Sequence, residues 1–156
     1  MAFEQGTNSY AAVEDADAYF ADRFQAESWF DLELTDKQKV LVSGTDFVDS
    51  LCTWNGDKAD VDQPLEFPRD SDTVVPNDIL VALYEICLEI VKQGKVSFVA
   101  SSDSIKTLKA GPATLSFYEK LTNPLTIVNS LAKSKLRKHG ECAFGDDGIS
   151  SVRLQR

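Results

Sequence analysis

Residues 76–94 read PNDILVALYEICLEIVKQG. Ile79, Ala82, Leu83, Ile86, Cys87 and Ile90 recur at intervals of three and four, which puts them on one face of a helix. Pro76 suits the first turn, where its missing N–H costs nothing, and Gly94 ends the pattern. No other stretch is as regularly helical. It predicts the central core element of a mainly α fold.

The chain on its N-terminal side, QPLEFPRDSDTVVP at 63–76, contrasts with it. Pro64, Pro68 and Pro76 exclude a helix, because each lacks an N–H and biases the residue before it to extended backbone. Leu65 and Phe67 make the stretch too apolar for a free linker. It is a stiff strap, preceded by the turn-rich CTWNGDKADVDQ at 52–63. Further upstream, Thr35 and Gln38 have the spacing of a capping box and open a predicted helix carrying Val40, Leu41, Gly44, Phe47, Val48 and Leu51. Gly44 in its middle costs about 1 kcal/mol against alanine, which implies close packing of a neighbour there. Ala16, Tyr19, Phe20 and Phe24 define an earlier helix over 13–27, with Glu14 and Asp15 in its first turn.

On the C-terminal side, 105–118 alternates around Ala-Gly-Pro-Ala and predicts a short hairpin. Asn123-Pro124 opens a further helix whose stripe is Ile127, Val128, Leu131 and Leu136. The end, HGECAFGDDGISSVRLQR, holds three glycines and predicts extended chain. The fold class expected is mainly α: a small bundle of about four helices with a short β-hairpin and an extended C-terminal arm. Residues 1–136 form the helical unit and 137–156 the arm.

The net charge of −9 opposes wrapping nucleic acid over the whole surface, since that needs phosphates neutralised by Lys and Arg. The charge is uneven. Residues 133–156 carry six basic and three acidic side chains, a net of +3, leaving −12 on the other 132. An acidic body with a basic tail predicts a tail that docks on an acidic partner, a second copy included. No apolar run approaches the roughly 20 residues of a membrane span. The N-terminus has no secretory pattern. Cys52, Cys87 and Cys142 are odd in number and far apart, so reduced structural thiols in a cytosolic setting are expected.

No catalytic constellation emerges. His139 is the lone histidine and reads as a surface residue. The cysteines lack zinc spacing, and Asp57, Asp60 and Asp62 lack the glycine and distal glutamate of a calcium loop. No enzyme, cofactor or metal is expected. Single-strand binding needs aromatic platforms beside positive charge. Tyr19, Phe20, Phe24, Trp29, Phe30 and Phe47 lie instead on core stripes or among acids, and only Phe144, Arg153 and Arg156 combine the two features.

The stretch NSYAAVEDADAYFADR at 8–23 is similar to the opening of tailed-bacteriophage head–tail connector (adaptor) proteins. Gln63, Leu65, Phe67, Pro68 and Arg69 resemble that family's Q-x-L-x-W-P-R, with Phe67 in place of tryptophan. Pro76, Ile79 and Ala82 fit its V-P-x-x-I-x-x-A, and the hairpin is similar too. The resemblance spans about residues 8–136. It implies an adaptor in the virion neck, a cyclic homo-oligomer, a dodecamer in the family, that joins portal protein to tail or nozzle protein while DNA passes without specific binding. The same family is also described as a DnaT-like, single-strand-binding domain, which implies the alternative of a replication accessory. For the strap, two uses stay open: closing its own core, with Arg69 paired to a carboxylate, or contacting a neighbouring subunit. For the arm, Arg137, Lys138, Phe144, Ile149, Val152, Arg153, Leu154 and Arg156 are the expected contacts to portal or neighbour.

Overall fold

Among the described residues the chain forms α1 (Val13–Ala21), α2 (Glu27–Phe30), α3 (Leu34–Leu51), β1 (Cys52–Trp54), α4 (Asn77–Gln93), β2 (Thr107–Ala110), β3 (Ala113–Ser116), α5 (Ser130–Leu136) and β4 (Gly140–Cys142). The structure, a computed structural model, describes residues 2–94, 107–110, 113–116, 128–142 and 144. The architecture is mainly α, as the periodicity predicts, with the expected hairpin at β2–β3.

Helix α4 is the axis. Its predicted stripe is buried, and so are Tyr84, Glu85 and Leu88 on its other sides. It packs most extensively against α3 and α5. Gly94 closes it in the left-handed conformation at φ 62°, its N–H bonded back to Ile90 and Val91 carbonyls. Pro76 stands just before the first turn, as the N-cap residue. The glycine in α3 is explained by contact. A Cβ on Gly44 would lie 2.6 Å from Cys87 Sγ and 2.9 Å from Leu83 Cδ1, so the two helices meet backbone-close there.

Several boundaries differ from the sequence expectation. Helix α1 ends at Ala21 rather than near residue 27, and Gln25 turns the chain at φ 61°. Phe24 therefore leaves the helical face and is 90% exposed. Helix α2 was not anticipated, because four residues carry too little periodicity to register. Its Trp29 is buried, stacked at 4.8 Å on Phe20, and its indole N–H donates to Asp17 at 2.7 Å. Helix α3 starts at Leu34 with Glu33 as N-cap and no side-chain cap bond, so the Thr35–Gln38 box is not formed. Helix α5 starts at Ser130, capped by Asn129, whose side chain accepts from Ala132 N at 3.0 Å. Asn123-Pro124 and Ile127 lie outside the described residues.

Strands β2 and β3 pair antiparallel, with Thr107 opposite Ser116 and Ala110 opposite Ala113. Strands β1 and β4 also pair antiparallel, Cys52 opposite Cys142 and Trp54 opposite Gly140. This second ladder corrects one expectation. Cys52 and Cys142 are disulfide-bonded across 90 residues of sequence, not reduced; only tertiary pairing brings them together, and spacing alone carried no sign of it. Of the arm, the described residues 140–142 are extended and pair with β1. After α5 the chain turns at 137–139, enters β4 and buries Phe144.

Candidate functional site

The strap is an internal buttress. Leu65 and Phe67 are buried, Phe67 at 4% exposure with its ring edge-on to Trp54 (4.9 Å), His139 (6.0 Å) and Tyr10 (6.1 Å). Burial of each is worth about 1.5–3 kcal/mol relative to exposure. Proline keeps the backbone from sampling many unfolded alternatives, so ordering it costs less. Gln63 clips the turn: its amide donates to the carbonyls of Leu65 and Pro68, both at 2.9 Å, and its Oε1 accepts from Asp60 N at 3.0 Å. The Phe67–Pro68 bond is cis. Arg69 pairs with Glu66 at 2.7 Å and donates to Asn55 O at 2.9 Å and to Gly56 O. Of the two uses open for Leu65 and Phe67, core closure is the one these contacts describe.

A buried polar chain holds the strap down. The Tyr10 hydroxyl donates to Asp49 and accepts from Phe67 N at 3.2 Å. The other Asp49 oxygen accepts from Glu66 N at 3.3 Å. Every donor to Asp49 is neutral, and burial pushes its carboxyl up to about 6. Burial, with Asp49 beside it, raises the Tyr10 phenol far above its ordinary value.

A second hub joins α1, α4 and α5. Glu85, 7% exposed, accepts from Tyr19 OH at 2.6 Å, from Asn129 Nδ2 at 2.8 Å and from the Arg23 guanidinium. Burial works to raise its pKa, but the bonds from Tyr19, Arg23 and Asn129 outweigh that and hold the carboxyl below its ordinary value. Asn129 thus caps α5 and bonds α4 with one amide.

The basic end of the chain meets a third carboxylate. Asp78, in the first turn of α4 where the helix dipole favours an anion, lies 2.7 Å from Lys135 Nζ, 3.3 Å from Lys138 Nζ and 3.7 Å from His139 Nε2. The Lys135 bond, set against a smaller desolvation effect, keeps Asp78 below the usual carboxylate range. Lys133 and Arg137 sit over the Phe144 ring at 5.8 and 5.1 Å. Arg137, Lys138 and Phe144, expected to reach a partner, are therefore engaged on this chain's own body. His139, expected at the surface, is half-buried on Phe67. Ile149, Val152, Arg153, Leu154 and Arg156 lie outside the described residues.

What remains outward is acidic with a few apolar side chains. Residues 1–94 hold six basic and twenty acidic residues, a net of −14. Phe24, Phe30, Leu34, Val61 and Val74 are exposed, while Tyr10, Phe20, Trp29, Phe47, Trp54 and Phe67 are inside. A groove of about 400 Å³ between the N-terminal segment and α3 is lined by Phe3, Asn8, Gln38, Lys39, Val42 and Asp46, among others. Among the described residues no cluster of three His, Cys, Asp or Glu is placed to hold a metal, and no helix is long and apolar enough to cross a membrane.

The sequence pointed to the strap but not to Asp49, Glu85 or Asn129. Glu85 did leave a sign, a carboxylate inside the run ILVALYEICLEI whose neighbours on the helix are apolar.

A family model described as "Putative DnaT-like ssDNA binding protein" matches residues 2–156. The chain belongs to that family. No curated protein and no solved structure matches this DnaT-like chain.

Proposed function

We propose that this DnaT-like chain is a non-enzymatic structural adaptor acting through protein–protein contacts, of the head–tail connector kind that residues 8–136 resemble. Copies of it would form a ring in the virion neck between portal and tail proteins, each copy offering two different faces to its neighbours. The observation that carries this reading is the placement of charge and rings. Among the described residues, Lys133 and Lys135 in α5 and Arg137 and Lys138 just after it face Asp78 or the Phe144 ring, beside a segment 1–94 of net −14. Such a surface repels phosphate and suits a channel through which DNA passes without sticking. Phe24, Phe30 and Leu34 supply exposed apolar area for a protein neighbour.

A second reading has the family match behind it: binding of single-stranded DNA, as the family's description says. Against it stands the lack, among the described residues, of exposed rings in a positive groove, the arrangement that stacks bases.

One pair of measurements separates the two. Fluorescence anisotropy with a labelled oligothymidylate is run at about 50 and 200 mM salt, where phosphate contacts lose affinity steeply. Mass photometry is run on the chain alone and with purified portal rings. The adaptor reading expects no salt-dependent DNA binding and a higher-mass complex with portal. Micromolar, salt-sensitive DNA binding with no portal complex overturns it in favour of the second reading.

A further inference from the structure

The Cys52–Cys142 bond joins two partly buried residues at the margin of the core. The two residues face each other at one end of the three-pair β1–β4 ladder. Both are only partly buried, and the adjacent pair, Thr53 and Glu141, is exposed. Cys87 is a different kind of cysteine: fully buried between α3 and α4, its thiol donates to Val40 O at 3.6 Å, and burial raises its pKa far above the ordinary thiol value. It takes no part in exchange.

What the bond secures is short. Besides the bond, His139 is held by Asp78, by the Phe67 ring and by Asn55 N donating to its carbonyl at 2.9 Å, 140–142 by the β1–β4 backbone pairing with Gly140 seated against Trp54, and Phe144 by burial and by Lys133 and Arg137 over its ring. Lys135 and Lys138 are anchored on Asp78 independently of the sulfurs. A break at the disulfide therefore loosens residues 140–142, not α5.

We propose that Cys52–Cys142 is a thiol–disulfide exchange site for a low-molecular-weight thiol, and that its state sets how firmly residues 140–142 are held on the body. In the reducing direction a thiolate attacks one sulfur, the Cys52–Cys142 bond breaks, and a mixed disulfide forms while the other cysteine leaves as thiolate and takes a proton. A second small thiol attacks the mixed disulfide and frees the second cysteine. Two electrons enter the protein, and the small thiols leave as their symmetric disulfide. The reverse uses that disulfide as oxidant. The exchange itself rests on neither functional reading, although Phe144, two residues past Cys142, also takes part in the placement of charge and rings behind the adaptor reading.

The test uses the full chain in glutathione buffers of graded oxidised-to-reduced ratio, with free thiols alkylated under denaturing conditions and counted by mass. Hydrogen exchange is measured in parallel. The expected result is one thiol, Cys87, in oxidising buffer and three in reducing buffer, in a single two-electron transition. Amides of 140–142 then exchange about tenfold faster or more, while α3 and α4 amides keep their protection. Cys52→Ser and Cys142→Ser, which have two cysteines each and cannot form the bond, match the reduced form in the exchange of 140–142 in reducing and oxidising buffer alike, and Cys87→Ser leaves the transition in place. If the serine variants do not fold, the reduced wild type carries the same readout. Three alkylated thiols in fully oxidised glutathione overturn the proposal. So does unchanged exchange at 140–142, and so does loss of protection throughout the molecule, which makes the bond a general staple.

Discussion

Asp49 and Glu85 are two buried carboxylates in one small core, and their protons are pushed in opposite directions. Asp49, behind the strap, is surrounded by neutral donors and by the like charge of Glu66; burial dominates and its pKa rises to about 6. Glu85, at the seam of α1, α4 and α5, receives a guanidinium, a phenol and an amide, and its pKa falls. Burial alone does not decide which way a carboxylate's pKa moves; the number and strength of the hydrogen bonds it accepts, from neutral and charged donors alike, set the balance. The strap hub is a carboxyl bonded by neutral donors, and the seam hub is an ion-paired bolt.

The comparison is broken most severely on the strap side. Phe67→Ala removes the ring that Tyr10, Trp54 and His139 pack against, and is expected to cost about 3–5 kcal/mol, read as a lowered midpoint in urea unfolding. An unchanged midpoint with failed assembly would return the strap to an intersubunit role.

Glu85→Gln keeps the shape of the seam but strips the charge that Arg23 faces. A loss of about 1–3 kcal/mol is expected, discounted because the Arg23 side chain is 37% exposed. The same variant checks the acid limb. A lowered Glu85 pKa contributes stability that is present above the unfolded carboxylate value and is lost as pH falls through the folded one. Wild type should therefore lose its advantage over Glu85→Gln under acid conditions, in unfolding curves measured from pH 7 down to about 2.

Asp49 sharpens the contrast by having the opposite sign. Its folded pKa of about 6 lies above the ordinary value of 3.8, so between these limits the folded chain holds more proton than the unfolded one. Stability from this group then rises as pH falls from 7 toward 4. Asp49→Asn should flatten that part of the profile, and an identical slope in both chains counts against the assignment.

The smallest effect is expected at the surface pair. Asp78→Asn should cost under about 1 kcal/mol, and the difference from wild type should shrink in high salt, because Lys138 and Asp78 are partly exposed.

The residues that spoke in the sequence are those whose information is local. The α4 stripe and Gly94 follow from spacing and from one backbone conformation, and Gly44 from its cost inside a helix. The hairpin follows from alternation around a turn. Less visible were features created by distance along the chain: Tyr10 bonding across 39 residues to Asp49, Glu85 across 44 to Asn129, and Cys52 across 90 to Cys142. Periodicity assigns a residue to a face but not to a partner. Phe24 shows the other limit, since one turn of helix fewer moves a side chain from core to solvent. The basic tail was legible as charge. Its destination on Asp78 was not, because charge patterning does not distinguish a foreign acidic surface from the chain's own.

The pairing of β1 with β4 also sets an order of events during synthesis. At about 5–20 residues per second, a ribosome that has just made Cys52 needs several seconds more to supply Cys142. Throughout that interval the edge of β1 faces solvent with its hydrogen-bonding groups unmet, and the pocket behind the strap lacks His139. The nascent protein must therefore protect an open strand edge until residues 140–142 emerge.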